Sequence, residues 1–206
     1  MIEIYGRPTA WNVRKVLFLM ESLQLPYKRL DYGRGYAPTN TPEFLALNPN
    51  GMVPVLVEDG LVLWESHTIL RYLAAKYGPP SLYPADLRDR ALVDQWLDWK
   101  IAHVSPAIRP LFFTHFLKTG DFSDREVADA EAECARLFTI LDAQLAKTGA
   151  YATGPELTIA DCALGMAVHR WLSLPVQKPA LEHIHRYYRQ LSQLPSYQKT
   201  ILIGMP

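Results

Sequence analysis

Residues 48–66 read Asn48-Pro49-Asn50-Gly51-Met52-Val53-Pro54-Val55-Leu56-Val57-Glu58-Asp59-Gly60-Leu61-Val62-Leu63-Trp64-Glu65-Ser66. Two short apolar runs, 53–57 and 61–63, flank the acidic turn Glu58-Asp59-Gly60. That pattern predicts an antiparallel β-hairpin. Asn48-Pro49-Asn50-Gly51 is turn chemistry and ends the segment before it. Pro54 cannot donate to a sheet ladder, so it belongs at the opening of its strand. A cis peptide at Val53-Pro54 would turn Val53 outward and free its N–H and C=O for an extended, peptide-like ligand. The plainer alternative is an ordinary trans proline at a strand start. Beyond the hairpin, Glu65-Ser66 opens a helix with Ile69, Leu70, Tyr72 and Leu73 as its buried stripe.

Working outward toward the N-terminus, Thr41–Leu47 predicts a short helix. The glycine-bearing stretch 33–38 reads as loop, and Tyr27–Tyr32 as a second strand. Ile2–Tyr5 is β-prone and is closed by Gly6 and Pro8. From Asn12 the apolar positions Val13, Val16, Leu17 and Met20 take helical spacing until Pro26. The order is β-α-β-α-β-β-α, a small mixed sheet covered by helices. The opening MIEIYGRP carries no charged-then-apolar leader pattern and reads directly as a strand.

Toward the C-terminus, residues 78–87 (GPPSLYPADL) hold three prolines and a glycine and form the best linker candidate. After it, Arg88–Ser105, Asp124–Lys147, Thr158–Leu172 and Ala180–Leu194 read as helical. Within Asp124–Lys147, Val127, Cys134, Leu137, Leu141 and Leu145 share one face. The expected organisation is an α/β unit at 1–77, a linker at 78–87 and an all-helical unit at 88–206. Across the 206 residues, 21 basic and 21 acidic side chains balance. That gives no electrostatic footprint for nucleic acid or an anionic membrane, and no apolar run is long enough to span a bilayer. The two cysteines, Cys134 and Cys162, make no disulfide framework and have no metal-ligand spacing. The expectation is a soluble cytoplasmic protein without a metal.

Besides Val53-Pro54, three local features stand out. At Trp64-Glu65-Ser66-His67, Ser66 is a natural N-cap, and a helix N-terminus suits a ligand carboxylate. Glu65 could hold an ammonium group at the same point, so the pair fits an α-amino acid head group; plain capping is the alternative. In the turn Arg7-Pro8-Thr9-Ala10-Trp11-Asn12, a hydroxyl, an amide and several N–H groups sit where a strand hands over to a helix. That is a place to stabilise an anion, a thiolate included, and capping by Thr9 and Asn12 is compatible with it. Leu157-Thr158-Ile159-Ala160-Asp161 has capping-box spacing with Asp at the third position and reads as structural.

These pieces together resemble the cytosolic glutathione transferases over essentially the whole chain. Asn48-Pro49-Asn50-Gly51-Met52-Val53-Pro54-Val55-Leu56 resembles that family's Asn-Pro-x-Gly-x-Val-Pro-x-Leu motif with its cis proline. Glu65-Ser66 with Ile69, Tyr72 and Leu73 is similar to its glutamate-serine pair and following helix, and 157–161 to its C-terminal capping signature. The resemblance implies a thioredoxin-like N-terminal domain, an all-α C-terminal domain, a homodimer and glutathione as co-substrate. It implies that Val53, beside Pro54, holds the cysteinyl backbone, and that Glu65 and Ser66 hold the γ-glutamyl group. Met52 falls where many relatives carry lysine or glutamine, and a thioether is no strong donor. Arg34 or a backbone N–H must then serve the glycyl carboxylate. Where serine-type relatives place a serine, this chain has Ala10. A bacterial subgroup uses threonine and asparagine in this turn, which implies that Asn12, helped by Thr9, stabilises the thiolate. Trp11, His103, Phe112, Phe113 and Phe116 are candidates for the wall around a hydrophobic electrophile, with helical core as their alternative role. The expected activity is glutathione transfer. A glutathione-dependent disulfide reductase or peroxidase, and a non-catalytic glutathione-binding module, are the alternatives.

Overall fold

The computed structural model describes residues 1–204. Strands β1 (Ile2–Tyr5), β2 (Tyr27–Leu30), β3 (Val55–Glu58) and β4 (Leu61–Trp64) form one mixed sheet in the order β2-β1-β3-β4. The β1–β2 pair is parallel, and the β1–β3 and β3–β4 pairs are antiparallel. A parallel pair needs a crossover, and helix α1 (Trp11–Ser22) supplies it. Ile2 and Ile4 alternate inward on β1, as a half-buried strand requires. Helix α2 (Pro42–Leu47) is capped by Thr41, whose Oγ1 accepts from the Phe44 N–H. Helix α3 (Ser66–Tyr77) closes the α/β part.

The helical part comprises α4 (Leu87–Trp99), α5 (Ser105–Phe112), α6 (Asp124–Thr148), α7 (Ile159–Ser173), α8 (Glu182–Ser192) and α9 (Pro195–Thr200). Wide π-helical turns at Lys100–Val104 and Phe113–Leu117 flank α5. The sequence reading carried one helix through Ser105 and assigned nothing to α5, the second π turn or α9. The cause lies at Pro106 and Pro110, which remove N–H donors and push the ladder out of α spacing. In the widened turn the Ser105 N–H donates to the Lys100 carbonyl, and Ser105 Oγ donates to the same oxygen at 3.1 Å. Strand β2 is also shorter than the expected Tyr27–Tyr32: past Leu30 the regular pairing gives way to single contacts, the Arg7 N–H donating to the Tyr32 carbonyl at 3.0 Å and Tyr32 bridging to Ala37.

Helix α7 is buried on every side from Ile159 to Trp171 and forms the axis of the core. Helix α1 packs between the sheet and α7, so the core runs without a break from one part to the other. Arg14 of α1 is fully buried and donates to the carbonyls of Ile201 and Ile203 beyond α9.

Candidate active site

Strand register brings three distant segments to one end of the sheet. Tyr5 pairs with Val55, and Val55 pairs with Trp64. The turn after β1, the Met52-Val53-Pro54 stretch before β3, and Glu65-Ser66 after β4 are therefore neighbours. The Val53-Pro54 bond is cis. The ladder stops at Val55, so Val53 stays outside it. Asn48 shapes the preceding turn: its Nδ2 donates to the Met52 carbonyl at 2.8 Å, and its Oδ1 accepts from the Asn50 N–H at 3.0 Å. Gly6, at φ +147°, lets β1 approach: a Cβ there would sit 2.5 Å from Val13 Cγ2 and 3.2 Å from Val53 Cβ.

Between this sheet end and the helices lies a cleft of about 610 Å³. Thr9, Asn12, Arg34, Met52 and Val53 line its α/β side, together with Arg7, Ala10 and Trp11. Phe112, Phe113, Leu117 and Arg170 line its helical side. An inner pocket of about 210 Å³ opens next to it, sharing Trp11, Asn12, Phe112, Phe113 and Arg170 and adding Lys100, Ser105 and Arg109. Asn12 thus stands where the two spaces meet. The N-cap of α1 is Ala10, and no side chain caps that helix end. This corrects the reading of Thr9 and Asn12 as caps: both are exposed, and the first-turn N–H groups have no side-chain acceptor.

Ser66 is also not the N-cap of its helix. It is buried as the first residue of α3, and Glu65 is the cap at φ +68° and ψ 112° without a side-chain capping bond. Pro54, Glu65 and Ser66 lie at the same sheet end but do not line the cleft. His103 differs from expectation: it faces solvent from the π turn Lys100–Val104 and lines neither space. Phe116 likewise lines neither; it packs behind Phe112 with ring centroids 5.7 Å apart.

The residues that sequence reasoning passed over are cationic. The Arg170 guanidinium is sandwiched between Trp11 and Phe112, 3.6 and 3.7 Å from their ring centroids. Lys100 Nζ lies 4.5 Å from the Trp11 centroid. Burial pulls the Arg170 pKa down to about 8, with Arg14 and Arg7 adding to the effect. Burial likewise pulls Lys100 down to about 7, helped by Arg170. Next to them, burial and Lys100 hold Lys15 well below the ordinary lysine range. Arg170 carried one readable signal: it is a charged residue in a helix with no polar face.

A four-stranded sheet of this topology, joined to a helical bundle with a cleft at the seam, defines the two-part thioredoxin-like class of proteins. Family descriptions sharpen that class: "Glutathione S-transferase, N-terminal domain" matches residues 2–75, and "Glutathione S-transferase, C-terminal domain" matches residues 124–190. Glutathione S-transferase GstB of Escherichia coli K12 is 35% identical over 206 residues, covering 98% of this chain and 99% of its own length. Glutathione S-transferase D7 of Drosophila melanogaster is 32% identical over 182 residues, covering 86% of this chain and 79% of its own. The crystal structure of a theta-class glutathione S-transferase from Xanthomonas axonopodis pv. citri, with glutathione bound, superposes with a TM-score of 0.92 at 35% identity. That match covers 100% of this chain and 99% of the other. This chain belongs to the glutathione S-transferase family.

Proposed function

We propose that this glutathione transferase binds the tripeptide along the Met52–Val53 edge and activates its sulfur at the first turn of α1. The carrying observation is the convergence of Thr9, Asn12, Met52 and Val53 on one cleft beside an uncapped helix N-terminus. Val53, left outside the ladder, supplies backbone groups to the cysteinyl residue. Ser66 and Glu65, brought to the same end by the Val55–Trp64 pair, hold the γ-glutamyl end. Arg34 takes the glycyl carboxylate in place of Met52, which is 67% exposed and carries no donor. Asn12 and Thr9 stabilise the thiolate, as in the bacterial Thr/Asn-type subgroup. A thiol of pKa about 8.5 is mostly protonated at neutral pH, so modest stabilisation of the anion raises the nucleophile several-fold. The thiol proton passes to solvent, the sulfur attacks an electrophilic carbon, and the C–S bond forms as the leaving group departs.

Thiolate absorbance of bound glutathione, followed across pH against S-methylglutathione as blank, tests this reading. A depressed thiol pKa that returns toward its free value in Thr9→Ala/Asn12→Ala supports it. A bound thiol with an unshifted pKa sinks it and favours a non-catalytic binding module.

A homodimer belongs to the same proposal. Leu61, Val62 and Trp64 are exposed on the edge strand β4, and Leu87, Leu92 and Ile101 are exposed on the helical part. These apolar groups suit contact between one subunit's sheet and its partner's helices.

A further inference from the structure

The side chains lining the cleft and its inner pocket include Arg7, Arg34, Lys100, Arg109 and Arg170, and no Asp or Glu. None of the five forms an ion pair among the described residues. Arg170 is only 6% exposed, and its Nε has no hydrogen-bond partner. Lys100 is 2% exposed, and Lys15 beside it is also buried. Burial without counter-ions disfavours the charged forms of Lys100 and Arg170, and a bound anion would favour them.

The tripeptide does not account for all of these cations. Its glycyl carboxylate lies at Arg34 and its γ-glutamyl carboxylate at Ser66 in the reading given above, on which this inference rests. Lys100 and Arg109 line only the inner pocket, which lacks Thr9, Arg34, Met52 and Val53. The walls of that pocket are the rings of Trp11, Phe112 and Phe113. We propose that the inner pocket takes an anionic, aromatic second substrate, its carboxylate or sulfonate held by Arg170, Lys100 and Arg109 and its electrophilic carbon directed to the sulfur at Asn12. With 4-(bromomethyl)benzoate, the glutathione thiolate attacks the benzylic carbon. The C–S bond forms, the C–Br bond breaks, and bromide leaves with the electron pair.

Two measurements on the full chain test the assignment. In the first, 4-methylbenzoate and its neutral counterpart 4-methylbenzamide are titrated calorimetrically into protein saturated with S-methylglutathione. The anion is expected to bind at least about tenfold more tightly, the scale of one charge-assisted contact. That advantage shrinks in Arg170→Gln and in Arg109→Gln; Arg109 is exposed, so its replacement keeps the test open if the buried variant fails to fold. Equal affinities, an advantage unchanged in folded variants, or displacement of S-methylglutathione by the anion would each overturn the proposal. In the second, kcat/KM is compared for 4-(bromomethyl)benzoate and 4-(bromomethyl)benzamide, with a preference for the anion expected. If the anion binds but neither compound is conjugated, the assignment of a second substrate to this pocket falls, while the thiolate titration above decides separately on activation of the sulfur. If both are conjugated equally and the anion binds no better, the pocket falls and the transferase reading stands.

Discussion

Glu65 holds φ +68° and ψ 112°, a conformation that costs an L-residue on the order of 1–3 kcal/mol. No side-chain capping bond compensates for it. The strained peptide is the joint between β4 and α3, and it sets how the Ser66 end of that helix faces the site. Glycine has no Cβ to strain at positive φ. Glu65→Gly is therefore expected to raise unfolding stability by about 1 kcal/mol in urea titrations while weakening glutathione binding by calorimetry. A variant that loses both would show that the backbone there is not strained. Ala10 makes the complementary point at the other end of the cleft. A residue without a polar side chain caps α1, so the helix's first N–H groups keep their capacity for an external anion. The place of Thr9 and Asn12 at the strand-to-helix handover was legible because that handover is local. The charge of Arg170 in an otherwise buried helix was readable, but its place between Trp11 and Phe112 exists only once α7 packs on α1.

Among the elements, α7 has its N-terminus closed by a single polar group. The Asp161 carboxylate is fully buried and accepts from the Thr158 N–H (2.8 Å), Thr158 Oγ1 (3.1 Å), the Ala152 N–H (3.0 Å) and Tyr187 Oη (2.9 Å). It closes the N-terminus of α7 and ties that end to the preceding loop and to α8. Asp161→Ala strands those donors in the interior and is expected to cost about 3 kcal/mol, measured as a lower urea midpoint with an unchanged m-value. A loss below about 1 kcal/mol would mean that water replaces the carboxylate there. The capping spacing of Thr158 and Asp161 was readable, but the bonds to Ala152 and Tyr187 join parts of the chain that no local pattern connects. The same contrast runs through the fold. The hairpin was legible because Glu58-Asp59-Gly60 sits between two apolar runs, although Pro54 delays its ladder to Val55. Helix α5 was hidden because Pro106 and Pro110 read as breakers, and the flanking π turns that absorb them have no sequence periodicity of their own.

For the whole molecule, the seam between the two parts sets the response to acid and base. His67 is buried with both ring nitrogens unpartnered, and burial beside Lys15 and Lys100 drives its pKa far down. Burial, with Arg14 and Arg170, lowers His169 to about 4. Unfolded histidine titrates near about 6.5, so below that value the unfolded chain binds more protons and stability falls as pH drops. Lys100, at about 7 when folded against about 10.4 unfolded, extends the same sign upward: stability rises with pH between these values. Urea midpoints are thus expected to climb from pH 5 through pH 9, and Lys100→Met to make the limb above pH 7 shallower, with Lys15 and Arg170 supplying the remaining slope. A wild-type profile that is flat from pH 7 to 9 would contradict the burial of Lys100. On the outer surface, light scattering is expected to give twice the 23.4 kDa chain mass, and Trp64→Lys on β4 to return the single-chain value. A monomeric wild type would remove the dimer from the proposal. The anchoring of Arg14 couples distant parts of the chain. Its guanidinium joins α1 to the carbonyls of Ile201 and Ile203, which lie 187 and 189 residues further along. Any loosening of the segment beyond α9 therefore reaches the helix whose first turn borders the cleft.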